Sequence, residues 1–96
     1  MAHYVGLYKW TELGRKNLKD SPDRLTAARQ AAEKVGVKLD NVLYTMGEFD
    51  LVAMFEAPND EAVVKFAAAV NATGAIQSQT MRAFTPEEFK QLTSAV

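Results

Sequence analysis

Residues 47–57 read Gly-Glu-Phe-Asp-Leu-Val-Ala-Met-Phe-Glu-Ala, and this stretch decides the fold. Gly47-Glu48 makes a tight turn, and the nine residues after it alternate as a strand must. Phe49, Leu51, Ala53 and Phe55 fall on one side, with Asp50, Val52, Met54 and Glu56 on the other. Both sides carry large apolar residues. A strand apolar on two faces belongs in the middle of a sheet and expects cover on each.

Upstream, Val42 to Met46 is β-branched or aromatic at three of five positions and predicts a short strand. Downstream, Pro58-Asn59-Asp60-Glu61 stops the strand and caps a helix whose Val63, Phe66, Ala67 and Val70 share one face. Asn71 to Gly74 closes that helix. Ala75 to Phe84 is a last strand, with Ile76, Ser78, Thr80 and Arg82 alternating against Gln77, Gln79 and Met81. Thr85-Pro86-Glu87-Glu88 is a capping box with proline at the first helical position, and it starts a short terminal helix ending near Leu92.

Toward the N-terminus, His3 to Trp10 places Tyr4, Gly6, Tyr8 and Trp10 on one strand face and Val5, Leu7 and Lys9 on the other. Thr11 to Asp20 is polar, is interrupted by Gly14, and reads as a turn with a short helical piece. Ser21-Pro22-Asp23 then supplies an N-cap, a proline and an acid for a helix with Leu25, Ala28, Ala32 and Val35 in one stripe, ended by Gly36. Strand–helix–strand–strand–helix–strand plus a helical tail is the split βαβ, or ferredoxin-like, arrangement of the α+β class. It predicts a four-stranded antiparallel sheet, the first and third strands central, and both helices on one face. The other face is left bare. A chain this short has no second layer for it, so a second copy is the expected cover, giving a homodimeric α/β barrel or an assembly of such dimers. A stable interface of that kind buries about 1,600 Å². The alternative is a monomer whose long side chains lie flat on the exposed sheet.

Composition narrows function more than it identifies it. The chain has 96 residues, so residues 1–96 are expected to form one domain, and no Pro/Gly/Ser-rich linker divides it. With no cysteine and one histidine there is no thiolate nucleophile, no Cys-based metal site and no multi-His centre within one chain. No metal and no cofactor are expected. The five-residue apolar run Phe66 to Val70 is too short to cross a bilayer, and Met1-Ala2-His3-Tyr4 carries no export pattern. A formal charge of −1 gives no general attraction to nucleic acid or membrane, although eight of the eleven basic side chains lie in residues 1–40.

Three passages together resemble the GYD-domain family of small bacterial proteins: Gly47-Glu48-Phe49-Asp50-Leu51-Val52, Lys19-Asp20-Ser21-Pro22, and Arg82-Ala83-Phe84-Thr85-Pro86-Glu87-Glu88-Phe89. The likeness spans essentially the whole chain. It implies a ferredoxin-like fold near the dimeric α/β barrel proteins, a bacterial cytoplasmic setting and an uncharacterised function. Where the family name implies tyrosine this chain has Phe49, which keeps the ring and loses the hydroxyl, so no role for that phenol carries over.

Each candidate residue has two readings. Asp50 is a general base if it faces a cavity, or an acceptor of backbone N–H groups near the turn. Arg82 holds a ligand carboxylate, or pairs across strands with Asp50 or Glu56. Tyr4, Tyr8, Trp10, Tyr44 and Met46 line a pocket for a small organic ligand, or are core and interface. His3 is a proton shuttle or a strand-start contact. Arg15, Lys16 and Lys19 form an anion site or a solvated basic loop, and Ser21 is explained by its cap. Three functions fit: a small-molecule-binding protein, a cofactor-free monooxygenase or isomerase using Asp50 or His3 as base, and a regulatory or structural oligomer.

Overall fold

The computed structural model describes all 96 residues. Strand β1 (Ala2–Trp10) is followed by a five-residue helix α1 (Glu12–Lys16), a single 3₁₀ turn and helix α2 (Ser21–Lys34). Strands β2 (Lys38–Tyr44) and β3 (Leu51–Ala57) lead to helix α3 (Asp60–Asn71), strand β4 (Ile76–Ala83) and helix α4 (Pro86–Thr93). The strands pair antiparallel in the order β2-β3-β1-β4, so β1 and β3 are central as expected.

Register assigns the two faces. Tyr4 opposes Phe55, Gly6 opposes Ala53 and Tyr8 opposes Leu51, and this row packs on the helices with Ala32, Val63 and Phe66. The Phe55 ring stacks on Tyr4 and meets Phe66 edge-on, each at 5.6 Å between centroids. The opposite row, Val5 and Leu7 with Val52 and Met54, forms the bare face, joined by Leu43 and Met81. Leu43, Met54 and Met81 remain 39–50% exposed, and only 14 of the 96 residues are buried. The chain alone has a one-sided core.

Caps close the helices where the sequence places them, with one exception. Asn59 accepts from the Ala62 N–H at 2.9 Å, and Thr85 and Glu88 exchange the bonds of a capping box. Gly36 and Gly74 end α2 and α3 at positive φ, which glycine adopts without strain. Ser21 does not cap α2. The 3₁₀ turn runs directly into the helix, Ser21 becomes its first residue, and the hydroxyl bonds Tyr44 Oη at 2.9 Å instead.

Two strand boundaries also differ from expectation. β2 begins at Lys38 rather than Val42, because a bulge at Asp40, between Leu39 and Asn41, breaks the period of two that alternation relies on. β3 starts at Leu51, since Met46 to Phe49 stay in the loop and Gly47 takes φ 116°. The Asp50 N–H still reaches Tyr8 O at 2.8 Å and its carbonyl receives Thr45 N–H at 2.9 Å. No helix is long and apolar enough to cross a membrane.

Candidate functional site

Between α2, α3 and the helix-facing side of the sheet lies a cavity of about 170 Å³, and 14 of its 17 lining residues are hydrophobic. Its origin is legible in side-chain size. Ala27, Ala28 and Ala31 of α2, Ala69 of α3 and Ala53 of β3 present methyl groups where larger residues would close the space. Leu51, Phe66 and Val70 supply the bulk around them.

The polar groups are few. Ser21 and Thr73 line the cavity with hydroxyls already engaged, one with Tyr44 and the other donating to Val70 O at 2.9 Å. Arg24 Nη1 donates to Asn17 O at 3.0 Å, while Arg24 Nη2 and Trp10 Nε1 are buried without a partner. Tyr8 forms part of the lining, and burial alone pushes its phenol up to about 12, so it stays protonated near neutrality.

The sequence-expected residues divide in space. Tyr8 and Trp10 line this cavity, and Tyr44 flanks it, its ring 6.4 Å from Trp10 and its hydroxyl on Ser21. Tyr4 lies about 13 Å away along β1, four residues from Tyr8. There it donates to Asp60 Oδ1 at 2.6 Å; this bond, with burial, holds its phenol above the usual range. Arg82 sits over the Tyr4 and Phe84 rings and donates to the carbonyls of His3 and Ala83. His3 borders a separate depression of about 190 Å³ with Tyr4, Met54 and Asp40. Met46 is 99% exposed on its loop, apart from both.

Asp50 does not line the cavity; its Oδ2 accepts the Trp10 N–H at 2.9 Å, stapling the start of β3 to the end of β1. Phe49 keeps a packing role, with the Lys9 ammonium 5.2 Å from its ring centroid. In the basic loop, Arg15 donates to Trp10 O and Lys16 stands 3.6 Å from Glu12. Arg24 was not among the residues singled out from sequence, although a signal existed. It is three residues after Ser21 and four before Ala28, which puts a lone cation in the apolar stripe.

A family model described as the GYD domain matches residues 4–93. The chain belongs to the GYD domain family. No curated protein matches this GYD-domain chain. Among solved structures it resembles TTHA0845 from Thermus thermophilus, with TM-score 0.58, 17% identity, and coverage of 88% of this chain and 95% of that one. It also resembles the 5-chloro-2-hydroxyhydroquinone dehydrochlorinase of Burkholderia phenoliruptrix, solved with 2,5-dihydroxybenzoquinone. Here the TM-score is 0.63 and identity 12%, covering 91% of this chain and 97% of that one. A homoserine dehydrogenase from Thiobacillus denitrificans matches 84% of this chain at TM-score 0.57 and 17% identity, but the match spans 16% of that enzyme. These likenesses show a shared ferredoxin-like fold, the protomer architecture of dimeric α/β barrels.

Proposed function

We propose that this GYD-domain protein is a homo-oligomeric binder of small organic molecules, with its site in the cavity between the helices and the sheet. The observation that carries this reading is an apolar space of about 170 Å³ bordered by unpartnered donors. An apolar cavity of about 150 Å³ is enough to take up benzene. The whole-length neighbour solved with 2,5-dihydroxybenzoquinone supports a small ligand in this architecture. The cofactor-free enzyme reading is less supported, because neither Asp50 nor His3 lines the cavity. Pairing of two copies through Val5, Leu7, Leu43, Val52, Met54 and Met81 would cover the bare face, on which Leu43, Met54 and Met81 stay 39–50% exposed.

One isotope-labelled sample tests both parts. Toluene titration followed by methyl NMR is expected to shift Leu25, Leu51, Val70 and Ile76 saturably, and Ala28→Leu, which fills the cavity, to abolish those shifts. Sedimentation of the same sample is expected to give a dimer or a multiple of dimers that Met54→Glu dissociates. Shifts confined to Val5, Leu7 and Leu43, or no saturable shift, would sink the cavity reading. A monomer at micromolar concentration would sink the assembly.

A further inference from the structure

The charge balance of the cavity is one-sided. Arg24 is the only charged residue among the 17 that line it, and no Asp or Glu is present to neutralise it. Arg24 takes part in none of the chain's ion pairs, which join Lys9 to Glu48, Lys16 to Glu12 and Lys38 to Asp40. One terminal guanidinium nitrogen, Nη1, donates to Asn17 O, and the other terminal nitrogen, Nη2, is buried and unmatched. Trp10 Nε1 is a second buried donor without an acceptor, and an indole N–H cannot accept in return. Tyr8 belongs to the same lining, and burial keeps its phenol protonated near neutrality. Of the hydroxyls among these residues, those of Ser21 and Thr73 already have partners, and that of Tyr8 lies over Gly6. Donors without acceptors are costly when buried, and the guanidinium is the most costly because it is charged. A carboxylate answers all of this at once: it carries the missing negative charge, it offers about four lone-pair sites, and it matches the guanidinium fork. The alanines leave room for one ring beside it.

We propose that the cavity takes a monocyclic, monoanionic organic acid, with its ring among the α2 and α3 alanines and its carboxylate on Arg24 and Trp10. This rests on the small-molecule reading above and names the ligand class for the same cavity. Selection works through charge: an uncharged ring of the same shape gains the apolar contact but leaves Arg24 unpaired.

The test compares benzoate, benzamide and toluene on the full chain, read by shifts of the cavity methyls of Leu25, Leu51, Val70 and Ile76. Benzoate is expected to bind about 10- to 100-fold tighter than benzamide or toluene, the range for a charge-assisted hydrogen bond. Arg24→Met, which keeps an apolar stem, is expected to erase that preference while toluene affinity stays within about twofold of wild type. Trp10→Phe keeps a ring, loses the donor, and is expected to weaken benzoate by several-fold. Should Arg24→Met fail to fold, Arg24→Lys serves instead, retaining the preference for benzoate over benzamide but weakening benzoate because the planar fork is gone. Equal binding of all three probes, or benzoate affinity unchanged in Arg24→Met or Arg24→Lys, overturns the acid assignment and leaves the small-molecule reading standing. Absence of cavity-methyl shifts with all three probes overturns both.

Discussion

Gly6 lies in β1 beneath the ring of Tyr8, and a Cβ built there would stand 2.3 Å from Tyr8 Oη, 2.6 Å from Cζ and 2.8 Å from Cε2. Its φ lies outside the left-handed region, so alanine meets no backbone strain and the whole cost of Gly6→Ala is this collision. Restoring ordinary contact near 3.4 Å moves the hydroxyl by about 1.1 Å, and Tyr8 borders the cavity. Overpacking of this size costs about 1–3 kcal/mol. Taking about 2 kcal/mol, Tm falls by roughly 8–16 °C for a chain of this length. The informative experiment repeats the substitution on a Tyr8→Leu background, where the colliding atoms are gone but apolar volume remains. There Gly6→Ala is expected to stabilise by about 0.5–1 kcal/mol, because glycine in a strand loses more backbone entropy than alanine. Denaturant unfolding at one fixed protein concentration measures all four proteins, with unchanged m-values as the check on two-state behaviour. An equal loss on both backgrounds refutes the reasoning, since the penalty would then not come from Tyr8.

Two further outcomes follow from the same geometry. Asp50→Ala orphans the Trp10 N–H and is expected to cost about 1.5–3 kcal/mol, whereas Asp50→Asn, which keeps an acceptor oxygen, costs clearly less; equal losses in thermal melts would show that the carboxylate does not hold Trp10. Burial raises Tyr8 from 10.0 to about 12, so its neutral form contributes stability that is fully present below about pH 10 and is lost as pH rises through about 12. The ceiling is about 2.7 kcal/mol, and Tyr8→Phe should lose less stability than wild type between pH 10 and 12; parallel pH profiles would contradict this.

The elements legible in the sequence were those set by local chemistry. Asn59 and the Thr85–Glu88 box fix where α3 and α4 begin, and Gly36 and Gly74 fix where α2 and α3 end. Alternation in residues 51–57 and 3–10 fixes two strands that are apolar on both faces, hence central. β2 was half hidden because its bulge at Asp40 shifts the alternating pattern by one residue. The role of Ser21 was misread for a related reason. Ser-Pro-Asp carries a cap signal whether or not a preceding turn already leads into the helix, and only the 3₁₀ turn decides that.

The candidate site was legible only as a set of residue types. Tyr8 and Trp10 share a strand face in the sequence, and both line the cavity, but nothing local separates them from Tyr4, which shares that face and points its hydroxyl at Asp60 instead. Arg24 and the alanines of α2 and α3 become neighbours only when two helices cross one sheet, so the cavity and its unmatched donors belong to packing between elements distant in sequence. Local patterns were enough to set the order of elements, their caps and the two-sided apolar character of the central strands, because those depend on periods of two and 3.6 residues and on bonds within a turn. Packing across the molecule settled which face Tyr8 and Trp10 occupy, that Asp50 serves the backbone of Trp10, and that a lone guanidinium lies beside an apolar space. Each of these depends on long-range register and on the volume left between packed layers, which no local pattern encodes.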